Sequence, residues 1–251
     1  MIFKWIKQWH HERIIHRSNV TDYQWQAAFQ RLPLLKRLNQ DEQKQLKHLA
    51  ILFLHYKSLE GVGIEVTTPM KLIIALQACL LILKLGLEWY EGWVSIVIYP
   101  GAFAKEQMEV DECGVVHESK TSLSGESWER GPVVLSWQDA QFDHRFETRN
   151  VVIHELAHKL DMLNGQANGL PPLHKNMSIK QWADAFTHAY HDFCEGLLTS
   201  PGPIDSYAAT SPGEFFAVLS EYFFENPKVL AKQYPDVYHQ LTQFYRQDPL
   251  H

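Results

Sequence analysis

Between Thr21 and Glu60 apolar residues recur every three or four positions: Trp25, Phe29 and Leu32, then Leu46, Leu49, Ala50, Leu52 and Phe53. That period predicts amphipathic helices, and Pro33 breaks the first because it has no N–H to donate and its ring crowds the preceding turn. Asp41-Glu42-Gln43-Lys44 reads as the exposed first turn of the second helix. Gly61 to Met70, with two glycines and a proline, reads as a connector. It leads into Leu72 to Leu83, which is apolar apart from Gln77 and bounded by Lys71 and Lys84. A bilayer needs about 20 such residues. The run therefore predicts an interior helix ending near Gly86.

The texture changes at Trp93. Val94, Ile96, Val97, Ile98 and Tyr99 are β-branched or aromatic and stop at Pro100-Gly101, which predicts a strand. Val115 to Thr121 and Val133 to Trp137 are further strand candidates, joined through Ser124-Gly125 and Gly131-Pro132. Helical patterning returns at Asn150 to Gly165, Lys180 to Leu197 and Pro212 to Asn226, where Pro227 closes it. The loops between are Gln166 to Ser178 and Thr199 to Gly213. The expected fold class is α+β, with a mainly helical region over 1–90 and a mixed region over 91–251, or one compact domain overall. No internal repeat or low-complexity tract interrupts this order.

Composition narrows the partners. With 251 residues, 45% hydrophobic and 21% charged, the chain can bury a substantial core. Its formal charge of −6 argues against nucleic acid as the main partner, since phosphate binding needs a basic surface. Cys79, Cys113 and Cys194 are odd in number and widely spaced, which fits reduced, buried thiols in a cytoplasmic protein. The amino-terminal stretch alternates Lys4, Lys7, Arg13 and Arg17 with Ile2, Phe3, Trp5, Ile6, Trp9, Ile14 and Ile15. It lacks the continuous apolar region of a signal peptide. A basic amphipathic helix can touch a membrane surface, but packing on its own domain is the preferred reading.

The chemistry concentrates in NVVIHELAHKLDMLNG, Asn150 to Gly165. Asn150 is a plausible N-cap, and Asn164-Gly165 supplies a residue able to take positive φ after the last turn. Side chains four apart share a helix face, so His154 and His158 can present ring nitrogens to one metal ion. Glu155 then points to where an attacking water would sit, which is the HExxH arrangement of zinc peptidases. The alternative is a chance match, although the surrounding apolar residues predict a buried helix on which these polar groups need compensation. Asp161 is either an acceptor orienting a ligand or an ordinary solvated or capping carboxylate. His188 and His191 are read as a solvated pair. A catalytic zinc needs a third protein ligand, for which Glu214 and Glu221 compete. They lie seven apart on nearly one face, and Ser211-Pro212-Gly213-Glu214 is also a capping box in which the glutamate would satisfy a backbone donor. Local pattern leaves the two even.

The segments HELAHKLDMLNG, IDSYAATSPGEFFAVLSEYFF and QFYRQDPL resemble the Mlc titration factor A family of bacterial zinc peptidases. LEWYEGWVSIVIYPGAF and GESWERGPVVLSW resemble it too, so the likeness covers most of the chain. The resemblance implies a zincin-like fold with a small sheet beside the HExxH helix, and Zn2+ held by His154, His158 and Glu214. Glu221 is left as support. It further implies Glu155 as general base, Tyr207 as donor to the oxyanion, and His117 as a further zinc contact. Family members are cytoplasmic, cleave amino-terminal residues from peptides, and bind the repressor Mlc, which regulates the glucose phosphotransferase system. The amino-terminal forty residues and the loop after the metal helix depart from the family pattern. A non-catalytic anti-repressor built on the same fold is the alternative.

Overall fold

The computed structural model describes the backbone of residues 2–101, 103–110, 116–123, 125–127, 131–141, 149–200 and 202–251. Side chains are described over 5–101, 131–141, 149–200 and 202–251. The chain opens with helices α1 (Ile2–His16), α2 (Asp22–Gln30) and α3 (Gln40–Tyr56), then strand β1 (Ser58–Gly61) and helix α4 (Thr68–Leu81). Strands β2 (Ser95–Tyr99), β3 (Phe103–Val110), β4 (Val116–Leu123), β5 (Gly125–Ser127) and β6 (Val133–Ser136) follow. The remainder is helical: α5 (Trp137–Ala140), α6 (Val151–Asp161), α7 (Ile179–Leu197), α8 (Pro212–Glu225), α9 (Pro227–Gln233) and α10 (Pro235–Tyr245).

Local chemistry sets the helix starts. Thr21 and Asn39 each accept the N–H three residues on, while Gln24 and Glu42 reach back to the cap N–H, so both helices open on capping boxes. Glu42 also meets Lys84 at 2.8 Å, which fastens the start of α3 near the end of α4. The apolar run is an interior helix: from Leu72 to Leu83 every side chain is buried, including Gln77. Gln77 manages this by donating to the Ile73 carbonyl while its own oxygen accepts from Asn150. Helix α4 packs against α2, α3 and α6, so residues from both sides of position 90 share one core.

The main sheet runs β1-β2-β6-β5, parallel across β1, β2 and β6, with β5 antiparallel on the edge. Its side chains alternate as expected where described: Ile96 and Ile98 of β2, and Val133 and Leu135 of β6, are fully buried. Strands β3 and β4 form a separate antiparallel pair. Helix α6 lies against β5, β6, α4 and α8, and so joins the sheet to the helical layers. On the far side, α7, α8 and α10 are held by aromatic packing. Trp182 stacks on Phe186 at 4.4 Å and meets Phe216 and Phe244 at 6.0 and 5.7 Å. Helices α9 and α10 follow the Pro227 at which the sequence pattern closes. Both open on a proline, which stops one helix yet suits the first turn of the next.

Two expectations about reactive or surface groups meet the structure here. Cys79 is buried and Cys194 partly buried, both as free thiols, whereas Cys113 lies outside the described residues. Helix α1 packs on α3 through one side, with Ile14 and Ile15 against the core. Its Trp5, Ile6 and Trp9 remain exposed.

Candidate metal centre

Helix α6 begins where Asn150 accepts the Ile153 N–H at 3.0 Å. Every residue from Val151 to Asp161 is buried. His154 and His158 leave one face with ring centroids 4.8 Å apart, and their Nε2 atoms approach to 3.2 Å. The third group at this point is Glu214, whose Oε2 lies 2.9 Å from Nε2 of His154 and 3.3 Å from Nε2 of His158. Three lone-pair donors thus face one another across 2.9 to 3.3 Å. Ligands about 2.0–2.1 Å from a tetrahedral zinc would be separated by about 3.3 Å. The donor set fits such an ion. Among the described residues these three form the one group of histidine, cysteine or carboxylate side chains able to converge on a metal.

The even contest between Glu214 and Glu221 resolves into two different positions. Ser211 Oγ accepts the Glu214 N–H at 3.2 Å, so the cap exists, but the carboxylate of Glu214 turns to the histidines. Glu221 reaches the other side of the same ring: its Oε1 lies 2.7 Å from Nδ1 of His154, and its Oε2 accepts the Asn150 N–H. A carboxylate on the far ring nitrogen fixes the imidazole tautomer and leaves Nε2 as the lone-pair donor. Asn150 adds a second tie by donating to Gln77 at 2.7 Å and to Glu225 at 2.7 Å. This framework joins α4, α6 and α8 beneath the histidines. Sequence reasoning missed it because its partners are 67 to 75 positions apart.

Asp161 does not hydrogen-bond His158. Its Oδ2 accepts the Gly169 N–H at 2.7 Å, and the same glycine's carbonyl accepts from Trp182. Gly169 has φ of 79°, and a Cβ there would meet the Pro212 carbonyl at 2.6 Å. The loop after α6 is therefore drawn tightly onto the first turn of α8, which carries Glu214. Lys159, also buried, donates to the Gly131 carbonyl at 2.9 Å and holds α6 to the start of β6.

Electrostatics agree with a cation site. Burial alone would lower the His154 pKa, but hydrogen bonds to Glu214 and Glu221 lift it to about 10. Burial would raise Glu214, yet the two histidines hold it well below the usual carboxylate range. Ligands must be deprotonated to bind a metal, so ion binding at this set would release any proton shared among them. Glu155 is buried beside the first histidine. Tyr207, on a short turn over Ser206–Ala209, is 38% exposed with its ring 6.0 Å from that of His154. Burial, followed by the charges of Glu214 and Glu155, pushes its phenol up to about 12. It therefore keeps its proton throughout the neutral range. The Arg149 guanidinium stands 5.9 Å from the Tyr207 ring centre. His188 and His191 are exposed on α7, as the sequence suggests. His117 falls on β4, and its side chain lies outside the described residues.

The sequence has relatives along nearly its whole length. The sequence matches the model of the glucose-regulated metallo-peptidase M90 family over residues 6–246. It is 39% identical to Mlc titration factor A of Klebsiella pneumoniae (strain 342), an alignment covering 99% of this chain and 93% of that protein. It is 41% identical to the protein of the same name from Salmonella arizonae over 91% of this chain and 92% of that one. The Salmonella typhi relative is likewise 41% identical, over 91% and 87%. A match across nearly the whole chain takes in the buried HExxH helix and the glutamate that meets it, and the chain belongs to the glucose-regulated metallo-peptidase M90 family.

Proposed function

We propose that the chain is a cytoplasmic zinc-dependent peptidase of aminopeptidase type on a zincin-like fold. His154, His158 and Glu214 hold the ion, Glu155 is the general base and Tyr207 assists the transition state. The observation that carries this reading is the convergence of two Nε2 atoms and one carboxylate oxygen within 2.9–3.3 Å of one another, beside a buried glutamate. A zinc ion there supplies Lewis acidity and lowers the pKa of a water to about 7.

The chain's own groups do the rest. Glu155 takes the proton of the attacking water and passes it to the leaving amine. Tyr207, protonated at neutral pH, donates to the oxygen on which negative charge develops. Glu221 keeps His154 in register by holding Nδ1. Strand β5, on the sheet edge beside α6, offers backbone groups to which an extended peptide can add as a further strand.

The test is metal content of the purified protein with peptide hydrolysis in the presence and absence of a chelator. Glu155→Gln is expected to retain zinc and lose turnover by about two orders of magnitude or more. Near-normal hydrolysis by the zinc-loaded variant would remove Glu155 from the mechanism. His117 is a further contact by the family resemblance, and a displaceable one because His154, His158 and Glu214 already complete a three-ligand set. His117→Ala is expected to keep zinc and activity, and loss of both would make it a working ligand.

The relatives' name favours a second reading, in which the chain binds the Mlc repressor and so modulates expression of the glucose phosphotransferase system. The same Glu155→Gln variant separates the two, because it abolishes hydrolysis and leaves repressor binding intact if binding is independent.

A further inference from the structure

Charge is unevenly distributed along this chain. The first seventeen residues hold Lys4, Lys7, Arg13 and Arg17 against the single acid Glu12, although the whole chain has a formal charge of −6. Helix α1 is thus a basic island on an acidic molecule. It is anchored along one side only, where Ile14 and Ile15 meet the core, Nδ1 of His10 lies 3.3 Å from the Tyr56 hydroxyl, and Lys7 reaches Glu91 at 3.6 Å. Away from that side stand Trp5, Ile6 and Trp9, which are 70%, 48% and 51% exposed. Positions 5, 6 and 9 fall within one helical face, so the apolar area is continuous.

Arg13 borders this face. The Arg13 guanidinium lies 5.5 Å from the Trp9 ring centre. Next to it, between α1 and the α2–α3 layer, opens a cleft of about 510 Å³ with Arg13, Arg17 and His55 in its lining and Trp25, Ile51 and Leu54 on its apolar side. Among the described residues no carboxylate lines it. A phosphate at the rim would find cations, and an adjoining hydrocarbon stem would find apolar contacts.

We propose that α1 is a peripheral anchor for an anionic phospholipid surface, with Trp5, Ile6 and Trp9 entering the headgroup boundary and Arg13 and Arg17 meeting lipid phosphates. Tryptophan suits that boundary because its ring is apolar and its N–H remains able to bond water or headgroups. Basic residues flanking an apolar helical face are the pattern of helices that lie in the interface plane. A second copy of the chain is a poorer occupant, since a two-fold contact through this face would bring its arginines toward their own copies. No helix among the described residues is long and apolar enough to cross a bilayer, so the attachment is to the surface. The inference does not depend on the metal centre or its chemistry.

The test is co-sedimentation of the full chain with vesicles of phosphatidylcholine alone and of phosphatidylcholine mixed with phosphatidylglycerol. Binding is expected to the anionic vesicles, to weaken with added salt, and to fall more than tenfold when Trp5→Ser and Trp9→Ser are combined. Arg13→Gln with Arg17→Gln should lower the partition coefficient about thirtyfold, the effect of about 1 kcal/mol for each basic side chain near a charged surface. Melting temperature and peptidase activity serve as controls, and the arginine pair carries the test if the tryptophan pair does not fold. Absence of binding to anionic vesicles overturns the proposal, as does equal binding to neutral ones. A concentration-dependent dimer lost in the tryptophan variant, without vesicle binding, would assign the face to a second copy and overturn it too.

Discussion

Glu214 and Glu221 sit seven positions apart on α8 and reach opposite nitrogens of one imidazole, so their substitutions should be distinguishable. Glu214→Gln removes a charged donor from the proposed ion itself and is expected to lower zinc affinity by more than any other single change on α8. Glu221→Gln keeps an oxygen near Nδ1 but loses the charge, and outer partners of this kind are worth about 10–100-fold in metal affinity. Zinc titration against a competing chelator orders them. A larger loss in the Glu221 variant would reverse the assignment. Much of this was legible in the sequence: the spacing of His154 and His158 fixes their shared face, with Glu155 beside it, once the segment is helical. The choice between the two glutamates was legible only through the family resemblance and not in the local pattern, because it depends on how α8 is translated along α6, and helical periodicity carries no information about that.

At the scale of elements, the loop after α6 sets that translation. Asp161 holds Gly169 through its backbone N–H, and the glycine backs onto Pro212 with no room for a Cβ. Gly169→Ala is therefore strained twice, by a positive φ and by a 2.6 Å approach to a carbonyl. It should destabilise the fold by about 1–3 kcal/mol and weaken zinc binding, since any shift of the first turn of α8 moves Glu214. Urea melts and zinc titration of the variant check both effects, and a stable variant with unaltered metal affinity would show that the loop does not position α8. The helices α2, α3, α4, α6, α7 and α8 were all readable from apolar period, with caps added at α6 and α8. β1 and β5 were not: Ser58-Leu59-Glu60-Gly61 and Gly125-Glu126-Ser127 are short and mostly polar or glycine. They are strands because β2 and β6 offer partners, and such tertiary choices override local preference.

Across the whole molecule, the polar framework beneath the metal centre makes stability depend on pH. Glu225 accepts from Asn150 and lies in a largely buried position near Arg37, whose guanidinium donates to the Phe224 carbonyl at 2.8 Å. Burial raises the Glu225 carboxyl to about 7. An unfolded chain would release that proton near pH 4.3. Between these values the folded state holds a proton that the unfolded state has lost, so the contribution of Glu225 is full at low pH, falls as pH rises, and is flat above about 7. Asp161, raised to about 6 chiefly by burial, acts with the same sign over a lower window. Glu214 acts with the opposite sign, losing its stabilising pairing as pH falls. His154, raised to about 10, adds stability that is lost as pH rises above its unfolded value, so a single curve would mix all four. The difference between wild type and Glu225→Gln isolates one of them, because the other groups titrate in both proteins and the glutamine retains an oxygen for Asn150. Chemical unfolding of both proteins, metal-free, across pH 4 to 8 should show the wild type losing about 1–3 kcal/mol relative to the variant by pH 7, with no further change above it. Parallel curves would mean that Glu225 ionises in the native state much as it does in the unfolded chain, and that the α4–α6–α8 framework tolerates its charge.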